Sequence, residues 1–186
     1  MSDLQELLNV IRSGQYLILD TETTGLERGE VVQISVIDSS GSILIDTLVK
    51  PVEPITPSTT RIHGITNQMV ATAPCFAEVV ENLRETISGK HVIVYNAVYD
   101  RKMLHQSAEA AGIEKTDWKG ISRWWCAMEG FAEIYGDWNQ YRRTYRWQKL
   151  STAAHYYGVP LTDAHSALGD CLITLAVCKG MAMVVK

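Results

Sequence analysis

Four carboxylates stand out in the sequence, each placed where an apolar element runs out or where its surroundings are otherwise apolar: Asp20, Glu22, Asp100 and Asp170. Asp20 and Glu22 close an apolar strand that runs into Thr23-Thr24-Gly25-Leu26. Two residues apart on a strand, they project from one face while Thr21 faces away. Like charges that close repel unless a cation sits between them, although a solvated strand end is the plainer reading of the pair alone. Asp100 follows a second apolar strand through Asn96-Ala97-Val98-Tyr99, and Asp170 interrupts a C-terminal helix rich in Ala, Leu, Gly and Ile. A buried carboxylate without a partner is costly, and a divalent cation would supply one. Carboxylates from separate elements, with no cysteine or multi-histidine cluster, make a hard oxygen site suited to Mg²⁺ or Mn²⁺ rather than zinc. Two such ions about 3.5–4 Å apart are a standard device for in-line attack on a phosphodiester.

His165 offers a proton acceptor that works near neutral pH. It precedes Asp170 by five residues, about 140° around a regular helix, so the two share a face only if His165 lies on a frayed first turn. From there its imidazole would reach an attacking water. A surface histidine near a helix start is the alternative.

Positioning these groups requires a sheet and its covering helices. Leu4, Leu7, Leu8 and Ile11 recur at helical spacing, and Ser13-Gly14 ends that segment. Tyr16–Thr21, Val31–Asp38 and Ser42–Val49 read as three strands joined by short turns, which favours antiparallel neighbours. Pro51, Pro54 and Pro57 give a stiff, exposed connection to a helix over Phe76–Ile87. His91–Tyr95 is a strand covered on both faces, followed by a helix from about Asp100 to Ala111. Residues 117–147 read as a strand near Ser122–Cys126, a helix near Ala127–Tyr135 and an irregular aromatic and basic segment. Helices over about Gln148–Tyr157 and Ala164–Val184 finish the chain, with Thr162 or Asp163 as the cap of the second. The expected fold class is α/β, a mixed sheet of three antiparallel-linked strands followed by parallel strands, flanked by helices.

Length and composition agree with one domain over 1–186 that carries an insertion at about 117–147. The N-terminus lacks the basic start and sustained apolar run of a secretory signal, and Asp170 and Lys179 interrupt the most apolar helix, so no membrane span is expected. Cysteines at 75, 126, 171 and 178 form no Cys-x-x-Cys pair, which points to reduced thiols and a cytoplasmic protein. The formal charge of −4 argues against a global basic field for nucleic acid. Asp20, Glu22, Asp100 and Asp170 account for that charge, however, since the other 17 acidic residues balance the 17 basic ones.

Asp20-Thr21-Glu22-Thr23-Thr24-Gly25-Leu26, Ile62-His63-Gly64-Ile65-Thr66, Asn96-Ala97-Val98-Tyr99-Asp100 and His165-Ser166-Ala167-Leu168-Gly169-Asp170 together resemble the DnaQ-like DEDDh 3′–5′ exonucleases. The resemblance spans about residues 16–178 and implies a ribonuclease-H-like sheet that releases nucleoside 5′-monophosphates from 3′ ends. It implies that Asp20, Glu22, Asp100 and Asp170 hold two divalent cations, one on Asp20, Glu22 and Asp170 and the other mainly on Asp20, with Asp100 acting through water. His165 would activate the attacking water. Thr23 and Gly25 would meet the terminal sugar, Leu26 would wedge under its base, and His63 and Asn96 would flank the terminal nucleotide. His63 has the alternative of bonding nearby backbone. Tyr95 departs from the histidine that many relatives carry before that asparagine.

All five tryptophans fall within 118–147, and Trp138–Lys149 carries Arg142, Arg143, Arg146 and Lys149 with no acid, a local +4. Aromatic rings with interleaved arginines suit single-stranded nucleic acid, the rings for bases and the arginines for phosphates. Tryptophans packed under the insertion are the alternative. The expected partner is a single-stranded DNA or RNA 3′ end, with DNA favoured and an RNA-trimming exoribonuclease as the variant reading. A catalytically idle module docked on a polymerase is a third reading, and a homodimer is a further possible assembly.

Overall fold

A computed structural model describes residues 3–162 and 165–184. The elements in order are α1 (Asp3–Ser13), β1 (Tyr16–Thr23), β2 (Val31–Asp38), β3 (Ile43–Leu48), α2 (Pro57–His63), α3 (Asn67–Val70), α4 (Phe76–Ile87), β4 (His91–Val94) and α5 (Ala97–Ala110). There follow α6 (Trp118–Ile121), β5 (Arg123–Cys126), α7 (Ala127–Tyr135), β6 (Trp138–Asn139), β7 (Thr144–Tyr145), α8 (Leu150–Tyr156) and α9 (Ala167–Val184). Strands β1 to β5 form one sheet in the order β3-β2-β1-β4-β5. The β1–β2 and β2–β3 pairs are antiparallel, whereas β1–β4 and β4–β5 are parallel. This is the mixed sheet that the sequence predicts.

Helices cover both faces, which is why β1 is apolar on both sides over Leu17, Ile18 and Leu19. Ile18, Ile37 and Ile93 pack with Leu8 of α1, Phe131 of α7 and Cys171 of α9. Leu17, Leu19, Val92 and Val94 pack on the other face with Val80 and Leu83 of α4 and Met103 and Leu104 of α5. Strand alternation therefore sends Asp20 and Glu22 toward the α9 face and Thr21 toward the α5 face. The parallel strands β1 and β4 end at the same edge, the place where open α/β sheets gather ligands.

Several elements differ from the sequence expectation. The proline-rich connection contains α2 and α3, because Thr56 and Thr66 each cap a short helix by accepting from a backbone N–H. Helix α5 begins at Ala97 rather than Asp100, since the Asn96 side chain caps it. Helix α8 begins at Leu150. Helix α9 begins at Ala167, with Ser166 Oγ accepting from Gly169 N at 3.1 Å, so Thr162 is not its cap and Asp163 lies outside the described residues. The segment after α7 is a two-stranded antiparallel hairpin, β6–β7, too short in each strand to give a period-2 signal.

Candidate active site

Asp20 and Glu22 on β1 and Asp170 on α9 each offer a carboxylate oxygen within 4.8 Å of the others. These are the acids that strand alternation and the α9 packing place on one face. Asp100 approaches from the opposite face of the sheet, in the first turn of α5, and is 3% exposed. Its Oδ1 accepts from Thr21 Oγ1 at 2.8 Å. Thus Thr21, which points away from its two acidic neighbours, reaches the fourth acid. Sequence reading passed over it, although the alternation that turned it away was the signal that it faced α5.

The electrostatics are those of crowded, buried acids. Burial, reinforced by Asp100, Asp170 and Glu22, holds the Asp20 carboxyl well above the ordinary carboxylate range. Burial and the charges of Asp170 and Asp100 push Glu22 up to about 7. Burial also pushes Asp100 up to about 7, against the hydrogen bond from Thr21. Asp170 is raised by burial, an effect that the His165 N–H and the nearby His165 charge partly offset. A group of carboxylates that resists ionisation alone and has its oxygens converging is chemically suited to a divalent cation, which would reverse each of these shifts.

The turn before α9 is fixed from two sides. His165 lies in this turn, not on the helix, with φ 70°, a left-handed conformation uncommon for a non-glycine residue. Its backbone N donates to Asp170 Oδ1 at 3.3 Å, which ties histidine and ligand together despite their unfavourable helical spacing. From β2, Gln33 Oε1 accepts from Ala167 N at 3.1 Å, and its Nε2 donates to Asp46 Oδ1 at 3.1 Å. Turning that amide over would set two donors face to face at Ala167 and an oxygen against the Asp46 carboxylate, so the orientation is determined. The signal for Gln33 was a polar residue inside the apolar run Val31–Ile37.

Thr23 and Gly25 sit beside the acids at the end of β1, where the β1–β2 register shifts between Glu22 and Thr23. Thr23 Oγ1 and Tyr99 OH share a hydrogen bond of 2.7 Å. Leu26 stands 77% exposed. His63 Nδ1 accepts from Ile65 N at 3.0 Å, so its Nε2–H faces Thr23 O at 3.3 Å. Both ring nitrogens thereby serve the backbone, and burial lowers the pKa of the ring, keeping it neutral. Asn96 spends its side-chain oxygen on the α5 cap, accepting from Tyr99 N at 3.4 Å. Tyr95, the departure from the family pattern, is buried and donates from its OH to Gln148 O at 2.9 Å. It lies two residues beyond Ile93 on β4, as Asp20 does beyond the register partner Ile18 on β1, so Gln148 is tied down at the acidic end of the sheet.

The aromatic segment divides into two. Trp118 is 1% exposed, Trp124 Nε1 donates to its carbonyl at 2.7 Å, and Trp125 Nε1 donates to His91 Nδ1 at 3.0 Å. These three serve packing. Trp138, Tyr141, Tyr145 and Trp147 are exposed, with Trp138 and Tyr145 edge-on at 5.0 Å across the hairpin. Arg142, Arg143 and Arg146 are exposed as well. Arg146 pairs with Asp137 at 3.5 Å, and Arg142 and Arg146 line a groove of about 540 Å³ with Glu129 and Glu133. The local +4 is therefore bordered by acids from α7 and the α7–β6 link.

Comparison with known proteins points the same way as this geometry. The sequence model of the RNase_T family, described as Exonuclease, matches residues 17–178. The uncharacterized exonuclease CP81 of Escherichia phage 186 is 38% identical over 170 residues, covering 89% of this chain and 87% of the phage protein. A DNA polymerase III subunit epsilon-like protein of Rhodobacter capsulatus is also 38% identical over 170 residues, but this chain spans only 22% of its length. Exodeoxyribonuclease 10 of Escherichia coli K12 is 29% identical over 163 residues, 86% of this chain and 65% of that protein. Among solved structures, exonuclease X in complex with 5′-overhanging duplex DNA superposes with a TM-score of 0.67 at 25% identity, covering 91% of this chain and 92% of that one.

Proposed function

Since this chain is a member of the RNase_T exonuclease family, we propose that it is a metal-dependent 3′–5′ exonuclease acting on single-stranded nucleic acid, DNA before RNA, and releasing nucleoside 5′-monophosphates. The observation that carries this reading is the convergence of Asp20, Glu22 and Asp170 within 4.8 Å, with Asp100 pinned by Thr21 at 2.8 Å on the other side of β1. Asp20, Glu22 and Asp170 would hold one divalent cation, Mg²⁺ or Mn²⁺, and Asp20 with Asp100 would serve a second. Bound there, the ions supply Lewis acidity to the scissile phosphate and make water a better nucleophile.

The chain's own groups do the rest. His165, held beside Asp170 by its backbone N–H, takes the proton of the attacking water. Thr23 and Gly25 meet the terminal sugar, Leu26 lies under the terminal base, and His63 and Asn96 keep the surrounding backbone in place. Arg142, Arg143 and Arg146 hold phosphates further along the strand, beside rings on which bases can stack. DNA is placed before RNA because exodeoxyribonuclease 10 and the polymerase III relatives are named for DNA. The epsilon-like name also favours a second reading, the same activity exercised beside a polymerase. The four unpaired cysteines fit a cytoplasmic setting. Among the described residues no helix is long and apolar enough to cross a membrane.

Matched DNA and RNA oligomers, single- and double-stranded, incubated with Mg²⁺, Mn²⁺ or a chelator, test the proposal. Mononucleotides should appear fastest from single-stranded DNA and only with metal. Undiminished release in the chelator would refute the metal dependence, and faster release from RNA would reverse the substrate order.

A further inference from the structure

The turn after β1 is held in an unusual way. Its carbonyls at 23, 24, 25, 26 and 27 each accept a side-chain donor. His63 Nε2 faces Thr23 O at 3.3 Å, and Thr59 Oγ1 donates to Thr24 O at 3.0 Å, both from α2. Tyr99 OH donates to Gly25 O at 3.2 Å, Lys102 Nζ to Leu26 O at 3.4 Å and Gln106 Nε2 to Glu27 O at 2.7 Å, all from α5. Positions 99, 102 and 106 form one stripe along that helix. The base of the turn is closed by Thr24 N donating to Glu30 O at 2.8 Å and Glu30 N donating to Thr24 Oγ1 at 2.9 Å. At Gly29 a side chain has no room, because a Cβ there would collide with the Gly25 carbonyl oxygen.

Surface turns ordinarily leave such carbonyls to water and move more than the elements they join. Here a turn held through five successive carbonyls displays a leucine that is 77% exposed, a residue that gains nothing for folding in that position. The helix that grips the turn through Tyr99, Lys102 and Gln106 also carries Asp100, which is bonded to Thr21 between Asp20 and Glu22. One helix therefore carries the fourth acid and grips the turn that bears the leucine.

From this arrangement we infer that Tyr99, Lys102 and Gln106 are positioning residues that preorganise the turn at 23–27, so that Leu26 sits at a set offset from the carboxylates and senses whether the terminal nucleotide carries a base. Preorganisation of this kind raises affinity by removing an ordering cost at binding. The inference rests on the exonuclease reading above and adds the residues that hold Leu26 in place against the terminal base.

The test compares two single-stranded DNA oligomers that differ only in the last nucleotide, intact in one and abasic in the other. The wild-type protein should prefer the intact end about tenfold in kcat/KM, the size of one lost base contact. Leu26→Ala should bring that preference below about threefold, as for a contact nearly removed. Lys102→Met/Gln106→Met, both substitutions keeping the side-chain stems, should fall between the two through a raised KM, with Mn²⁺ affinity and thermal midpoint close to wild type. Tyr99→Phe, which loses only a hydroxyl, should shift the ratio in the same direction. Loss of activity equally on both oligomers, leaving the ratio at its wild-type value, would overturn the inference, as would a wild type indifferent to the missing base. Failure of the wild type to cut either oligomer would instead overturn the exonuclease reading on which it rests.

Discussion

Around Asp20 the site is built on regular elements: acids converge from β1 and α9, Thr21 holds Asp100, and Gln33 caps the helix that bears Asp170. At Trp138–Trp147 the chain instead projects from the core as a two-stranded hairpin, with Tyr141 fully exposed at its tip. The pocket concentrates negative charge in buried and half-buried positions, where burial and then mutual repulsion raise the carboxyl pKa values. The hairpin spreads positive charge over exposed positions, where solvent screens it. The contrast teaches a division of labour. On the proposed function, the chemistry would use the fixed charge of the pocket, and holding a flexible strand would use the adaptable charge of the hairpin.

The largest predicted effects lie in the pocket. Asp20→Asn, which keeps the shape and removes the charge shared by both proposed ions, should lower mononucleotide release by on the order of 10³-fold, measured as kcat on single-stranded DNA. His165→Ala should lower it by roughly 10²–10⁴-fold, with Mn²⁺ binding little changed. A loss of Mn²⁺ binding in that variant would make His165 a ligand and not a base.

The raised carboxyl pKa values give a pH dependence whose direction follows from linkage. The folded, metal-free protein binds protons on Glu22 and Asp100 up to about pH 7, whereas the unfolded chain releases them near the ordinary values of about 4. The folded state thus holds more protons between those limits, and stability falls as pH rises through them. Metal-free protein should melt at a higher temperature at pH 5 than at pH 8, and saturating Mg²⁺ should remove most of the difference at pH 8. Melting unaffected by either would show that the acids are not crowded in solution. Removing the hydroxyl with Thr21→Val should weaken Mn²⁺ binding by about 10-fold or more, as for other partners that orient a ligand.

The hairpin should respond differently. Replacing Arg142, Arg143 and Arg146 together with alanine should raise KM for long single strands and leave kcat nearly intact. For three phosphate contacts the salt dependence of binding should flatten by about 2 in log–log slope. An unchanged slope would make the arginines a solvated face, with Arg146 serving only Asp137. The smallest effect belongs to Tyr95→Phe, which frees Gln148 at a cost of about 1 kcal/mol in unfolding free energy and should raise KM only slightly.

The same contrast explains how much was legible in the sequence. The convergence of Asp20, Glu22 and Asp170 could be read because strand alternation and apolar surroundings leave a carboxylate conspicuous, and the sheet followed from runs such as Val92–Val94. What could not be read depends on contacts distant in sequence. Gln33 meets Ala167 and Thr21 meets Asp100 only after the sheet forms. Helix periodicity carried α9 back to Ala164, since nothing local announces that His165 adopts a left-handed conformation. The tryptophans looked alike in sequence and divided in the fold, because Trp118 opens α6 in the core beside Val92 and Val94 and Trp124 and Trp125 lie on β5, while Trp138 lies on β6 and Trp147 just after β7.

The central claim is tested most directly by digesting a 5′-labelled single-stranded DNA oligomer with Mg²⁺ and resolving the products in time, for wild type and Asp20→Asn side by side. The account predicts a ladder of labelled strands that shorten one nucleotide at a time with wild type, and an intact band with the variant or with chelator. Label appearing first in a mononucleotide, or a ladder that persists in Asp20→Asn, would contradict it.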